Sequence, residues 1–385
     1  VCPGDNILFT IESTGVGLSY QWQKDGVPIP GEINPNLPLN NIDASYAGTY
    51  SCIVSSSCGG PLTSNGAVLT LLPQTIINTQ PANQTGCEGN NINFTLAATG
   101  SNLNYQWKKG GIPMSDGGRI SGVNTNNLLI TGVISTDVAA YKCTVSGDCG
   151  DETSIPVVLT VNQNILITGQ PVSTSVCPDD TISFGVTATG TSLTYQWQKN
   201  GAPMLPETNS SLIIEPVTLA DAGIYQCVVT GACPTRYSTA AVLTVNEPLA
   251  ITSNPLAEKE KCVGEDVTYA VSATGTGLSY QWRKDGTDMA DGGNISGTSL
   301  TTLIITGLVS GDEGIYTCIV SGSCGSTGSL PSKLVVDETP VITTQPSDKT
   351  VCKGGNTSFS INATGPNLNY QWQKAGIDMP GETNT

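Results

Sequence analysis

The sequence predicts an all-β chain, an elongated tandem array of two-sheet β-sandwiches. Three observations carry that prediction. A phrase Tyr-Gln-Trp-x-Lys occurs five times, at residues 20–24, 105–109, 195–199, 280–284 and 370–374, and holds all five tryptophans: Trp22, Trp107, Trp197, Trp282 and Trp372. Apolar residues between these phrases alternate with polar ones at the strand period of two, as in Ile92, Phe94 and Leu96 against Asn93 and Thr95. The whole pattern recurs every 85 or 90 residues, and each unit is long enough to bury a core of its own.

Taken in order, the second unit shows what each repeat contains. A strand carrying Phe94 precedes the turn Thr99-Gly-Ser-Asn102, and the tryptophan strand follows. Leu128 and Ile130 alternate before Val133, then comes a strand with Tyr141, Cys143 and Val145, and Val157-Val-Leu-Thr-Val161 closes the unit. About seven short strands with no helical periodicity make a two-sheet sandwich. The joins, at residues 72–81, 162–171, 246–255 and 337–346, are short and alike, so neighbours are expected to sit end to end rather than on long tethers. The expected units are residues 1–73 without a first strand, 74–162, 163–247, 248–337, and 338–385 as an N-terminal half. The chain is expected to be a window onto a longer array, with any targeting segment outside it.

Composition bounds the function. A net charge of −16 with only 15 basic residues argues against nucleic acid and anionic membrane surfaces. No run approaches the roughly 20 apolar residues that cross a bilayer. The absence of histidine removes the commonest general base and transition-metal ligand, so no catalytic residue, metal site or cofactor is expected. Thirteen cysteines, three in each complete repeat, fit an oxidising extracellular compartment. No Cys-x-x-Cys pair supports a zinc site.

A family resemblance rests on the tryptophan strand and on Asp221-Ala-Gly223-Ile-Tyr225-Gln-Cys227 and Asp312-Glu-Gly314-Ile-Tyr316-Thr-Cys318. The repeats resemble immunoglobulin-like domains of the intermediate type, whose tyrosine corner this run matches. The first and second units keep the tyrosines, Tyr50 and Tyr141, but lose the Asp and the Gly respectively. The resemblance implies buried Trp and Tyr at these positions. It also implies an inter-sheet disulfide, yet the second-strand positions hold Ile11, Leu96, Val186, Val271 and Ile361. Cys52, Cys143, Cys227 and Cys318 therefore lack that partner, and each is expected to pack as a small apolar residue. In this respect the chain is similar to repeats in giant secreted surface proteins of Bacteroidetes-type bacteria. That likeness implies an extracellular, cell-surface location and differs from animal adhesion molecules.

A longer period lies over the first. Tryptophan spacings of 85, 90, 85 and 90 make the repeating unit a pair of domains 175 residues long. The even units carry an extra segment after the tryptophan strand, Asp116-Gly-Gly-Arg119 and Asp291-Gly-Gly-Asn294. These are candidate ligand loops, although turn chemistry is the simpler reading. Asp179-Asp180 and Asp312-Glu313 also read as turn acids before they read as calcium ligands.

Two further cysteines recur: one at the base of each repeat, before the second strand (Cys2, Cys87, Cys177, Cys262, Cys352), and one in the last hairpin (Cys58, Cys149, Cys233, Cys324). A second strand of roughly 10 residues separates base from tip by some 30 Å, and a disulfide needs Cα atoms within about 7 Å. Base and tip of successive repeats are therefore expected to pair, as Cys2–Cys149, Cys87–Cys233 and Cys177–Cys324. A clamp within one hairpin, Cys143–Cys149, is the competing arrangement.

Together these features predict a mechanical stalk or filament segment that holds functional ends away from a cell. Its first partners would be neighbouring repeats of the same chain, then lateral copies of itself in a filament. The alternative is an adhesin whose even-numbered repeats bind glycans or a surface protein. A muscle-like or receptor array and an enzyme are the less favoured classes.

Overall fold

The computed structural model describes residues 1–385, built from short strands, turns and four single-turn 3₁₀ segments, with no α-helix. The second repeat shows the plan in full. One sheet runs from Ile112–Pro113 through the tryptophan strand Asn104–Lys109, the corner strand Ala139–Gly147 and the closing strand Val157–Asn162 to Gln84–Cys87. All of its pairs are antiparallel except the last, in which Leu159 lies beside Gln84 in parallel. Gly150–Thr153 folds back on the corner strand as a hairpin. The other sheet pairs Ile92–Thr95 with Asn127–Ile130 and then Ile120–Ser121. Ile76–Thr79 pairs with Ala97–Thr99 across a bulge as a separate two-stranded ladder, and after Pro81 the entering chain joins the larger sheet through Gln84–Cys87.

Alternation sends one face of each strand inward. Ile92, Phe94, Leu96, Leu128 and Ile130 meet Trp107, Tyr141, Cys143 and Val145 in one core. Phe94 stacks on Tyr141 with ring centroids 5.0 Å apart and lies tilted on Trp107 at 6.0 Å. Each such aromatic pair adds about 0.5–1.5 kcal/mol beyond its buried area. The same trio is built from Phe9, Trp22 and Tyr50, from Phe184, Trp197 and Tyr225, and from Tyr269, Trp282 and Tyr316. Burial favours an acceptor for each polar atom of the trio, and in the second repeat each finds one, whereas the buried Tyr269 hydroxyl of the fourth has no hydrogen-bond partner. The Trp107 indole N–H donates to the Thr125 carbonyl at 3.0 Å, and the Tyr141 hydroxyl donates to the Asp137 carbonyl at 2.8 Å.

Contacts divide the chain into two compact units. One comprises residues 1–169, 187–195 and 228–237; the other comprises 170–186, 196–227 and 238–385. The first contains the first two repeats, the second contains the fourth and fifth, and the third repeat contributes to both. The fourth repeat keeps the plan of the second, with Glu258–Cys262 parallel to Ser332–Asp337 and three strands in the opposite sheet. In the fifth, Val341–Thr344 pairs with Asn362–Thr364 and Gln373–Lys374 with Ile377–Asp378. Trp372 is half-buried there, against Phe359 at 6.3 Å, whereas Trp107, Trp197 and Trp282 are fully buried.

Candidate functional site: the stapled joints

The base cysteine sits at the start of a tight turn that the sequence writes in each repeat. In Cys2-Pro-Gly4-Asp5, Cys87-Glu-Gly89-Asn90 and Cys177-Pro-Asp179-Asp180 the third residue is left-handed, with φ of 89°, 86° and 70°. The fourth residue then turns its side chain back onto the cysteine. The Cys2 N–H donates to Asp5 at 2.7 Å, Cys87 to Asn90 at 2.8 Å and Cys177 to Asp180 at 2.8 Å. The fourth repeat does the same with Glu265, whose carboxyl is held below its ordinary range by the Cys262 N–H bond. Asp179 and Asp180 are thus parts of the turn that aims Cys177.

The tip cysteine is held from the other side. Gly147 and Gly150 close the hairpin around Cys149. Asp148 anchors it, its N–H donating to the Ser101 carbonyl at 3.0 Å and its carboxylate accepting from Ser101 at 2.9 Å and Asn102 at 2.7 Å. The backbone N–H bond recurs from Ala232 to Thr191 at 3.0 Å and from Ser323 to Thr276 at 2.8 Å.

The structure joins Cys2 to Cys149, Cys87 to Cys233 and Cys177 to Cys324, with Cα–Cα distances of 5.3, 5.8 and 5.7 Å. The sequence separations are 147, 146 and 147 residues. Each tip sulfur also lies against the end of the preceding repeat, 3.8 Å from the Leu72 carbonyl oxygen for Cys149, 3.7 Å from that of Asn162 for Cys233 and 3.8 Å from that of Asn246 for Cys324. Polar bonds flank the disulfides. Gln163 N–H donates to the Thr191 hydroxyl at 2.8 Å, the Asn164 amide to the Glu88 carbonyl at 2.9 Å, and Glu247 N–H to the Thr276 hydroxyl at 2.8 Å.

No clamp forms between Cys143 and Cys149. Strand alternation points Cys143 into the core opposite Trp107, while Cys149 lies in the hairpin turn beyond the strand end. Cys52, Cys143 and Cys318 are buried thiols. Burial raises the thiols of Cys143 and Cys318 to about 11, against a smaller lowering by backbone N–H groups. Cys58, Cys262 and Cys352 are exposed.

The candidate ligand residues of the even repeats are engaged within the fold. Gly117 and Gly118 turn the chain so that Ile120–Ser121 adds a third strand beside Asn127–Ile130, and Ile295–Ser296 does likewise in the fourth repeat. The Asp116 carboxylate accepts from Val123 N–H at 3.0 Å, and Asp291 accepts from the Thr298 N–H at 2.8 Å and its hydroxyl at 2.7 Å. Arg119 donates to the Asp137 carboxylate at 2.7 and 3.3 Å. Asn294 faces Asp312 at 3.4 Å in its place. Burial pushes the Asp137 carboxyl up, but the Arg119 and Ile134 hydrogen bonds and the charges of Arg119 and Lys109 outweigh it, leaving a net lowering. A buried serine behind the corner strand escaped the sequence reading. Ser154 Oγ accepts from Cys143 N–H at 2.9 Å and donates to the Ile155 carbonyl at 3.1 Å. Its signal was a Ser 11 residues after the corner cysteine, repeated at Ser238 and Ser329.

Sandwiches of this strand order, each with a Trp strand and a tyrosine corner, are immunoglobulin-like domains, and the chain is a tandem array of them. Residues 75–161 and 251–330 match the immunoglobulin I-set domain, and residues 166–230 match an immunoglobulin domain model. Among curated proteins the chain is similar to the cell adhesion molecule DSCAM of Homo sapiens, 26% identical over 56% of this chain and 12% of that protein. It is similar to hemicentin-1 of Homo sapiens, 24% identical over 92% of this chain and 6% of that protein. It is also similar to roundabout homolog 1 of Mus musculus, 27% identical over 70% of this chain and 18% of that protein. The chain therefore spans less than a fifth of the length of these relatives. Among solved structures, the I-band fragment I67–I69 from titin aligns with a TM-score of 0.56 at 22% identity, over 69% of this chain and 99% of that fragment. No helix is long and apolar enough to cross a membrane.

Proposed function

We propose that this chain is a structural segment of a long extracellular surface protein, a stalk whose successive domains are bolted together by disulfides. The observation that carries the reading is the base-to-tip staple, repeated three times at a spacing of 146 or 147 residues. A disulfide closing a loop of that length contributes about 2–5 kcal/mol, and it acts on the joint rather than on one core. The cysteine density supports an oxidising extracellular setting, and the charge of −16 supports solubility of a repeated unit. We further propose that the surface is bacterial. Support comes from Ile11, Leu96, Val186 and Val271, which stand where animal adhesion domains usually carry the inter-sheet cysteine. The partners on this reading are neighbouring repeats and lateral copies of the same chain. No catalytic role is proposed.

Non-reducing peptide mapping of native material with a free-thiol count tests the staple. Cys2–Cys149, Cys87–Cys233 and Cys177–Cys324 peptides are expected; Cys143–Cys149 peptides would overturn the reading. A second reading, an adhesin binding glycans or proteins, draws on the relative named as a cell adhesion molecule. It would gain from saturable binding that disappears when residues 116–122 are replaced.

A further inference from the structure

The three staples overlap in sequence. Cys87 lies inside the span Cys2–Cys149, and Cys177 lies inside the span Cys87–Cys233. Overlapping cross-links change the covalent route along a chain, because tension follows the shortest bonded path between the points that are pulled.

We propose that the staples form a covalent relay that limits extension and carries tension past most of the core of each of the first four sandwiches. The inference goes beyond the stalk reading and rests only on its disulfides. Pulled from its ends, the chain transmits force from Val1 to Cys2 and across the first staple to Cys149. It then follows the backbone for 28 residues (177 less 149) to Cys177, and crosses the third staple to Cys324. The loaded backbone between the two staples consists of the hairpin strand Gly150–Thr153, the closing strand Val157–Asn162, and the entry strands Leu166–Gly169 and Thr174–Val176. Phe94, Trp107 and Tyr141 lie off this route, inside the segment that the first staple bypasses. Once the loaded terminal strands have given way, the remaining core has no load to release.

The middle staple, Cys87–Cys233, is slack while its neighbours are intact. It takes up load only when one of them is lost; without the first, the route runs from Val1 to Cys87, across to Cys233, back to Cys177 and across to Cys324. The relay therefore has a built-in reserve.

The intact route contains one residue before Cys2, 28 between staples and 61 after Cys324, about 90 in all. At about 3.3–3.6 Å per residue its limit is about 300 Å, against about 1,300 Å for the reduced chain. Loss of the first staple gives a route of about 200 residues and about 700 Å.

Single-molecule stretching of the 385-residue chain, held at Val1 and Thr385, tests the relay. The oxidised chain is expected to stop about fourfold short of the same chain in reductant. Cys2→Ser is expected to lengthen the oxidised limit just over twofold, while Cys87→Ser combined with Cys233→Ser leaves it unchanged. Peptide mapping of each sample reports whether the remaining staples formed, and the reductant arm needs no variant at all. A chain with all three staples mapped that still extends to the reduced length would overturn the relay and leave the stalk reading standing. Equal lengthening by the two variants would overturn it as well. A chain in which the staples do not map would overturn the relay and the stalk reading together.

Discussion

Asp137 and Asp221 show how single side chains hold the corner of each sandwich. Both end a 3₁₀ turn and reach back to the N–H three residues earlier, Asp137 to Ile134 at 2.9 Å and Asp221 to Thr218 at 2.8 Å. The Thr218 hydroxyl bond leads in lowering the Asp221 carboxyl, assisted by the Thr218 N–H and Lys199 and opposed by burial. A carboxyl whose folded pKa is depressed contributes stability above its unfolded value of about 3.9, and that contribution is lost as pH falls through the folded value. Thermal melts are therefore expected to hold steady between pH 7 and about 5 and to fall steeply below about 4. A melting temperature unchanged down to pH 3 would show that these caps contribute nothing.

The extra strand of the even repeats depends on one glycine. Gly122 has φ of 81°, and a Cβ there would stand 2.1 Å from the Asn127 carbonyl oxygen. Gly132 has φ of 56° with open space around it. Gly132→Ala pays only the left-handed penalty, about 1–2 kcal/mol. Gly122→Ala must also displace backbone and is expected to cost at least about 3 kcal/mol. Calorimetry of the two variants should rank their melting shifts in that order, with equal shifts counting against the clash. This strand also marks the boundary of what could be read from sequence. Trp107, Tyr141 and the alternation of Phe94 with its neighbours made the sandwich legible, because burial imposes period and size on those positions. Residues 116–122 read as a loop, because Gly-Gly turns look alike whether the chain leaves the sheet or returns to it. Arg119 likewise looked available; only the fold reveals that Asp137, 18 residues on, occupies it. The parallel pair of Leu159 with Gln84 left no sequence mark, since a switch between sheets changes partners without changing the period.

For the whole molecule, cysteine burial predicts a sorted reactivity. Cys58, Cys262 and Cys352 are exposed and are expected to label with a thiol reagent in the native oxidised chain. Cys52, Cys143 and Cys318 are buried, and their raised pKa leaves little thiolate at pH 8, so they should label only after unfolding. Mass spectrometry of labelled peptides reads the order directly, and early labelling of Cys143 would contradict the packed core.

Cys2, Cys87 and Cys177 are each bonded to a partner made 146 or 147 residues later. Synthesis at about 5–20 residues per second puts about 7–30 s between the two thiols. An all-β domain folds in about milliseconds to seconds. Every sandwich has time to fold before the partner of its base cysteine is made, so the bolts join domains that are already folded. Folding first also keeps the waiting thiol from the wrong partner, since Cys2 stands at one end of its sandwich and Cys58 at the other, about 30 Å apart. The spacing of the cysteines places cross-linking after folding.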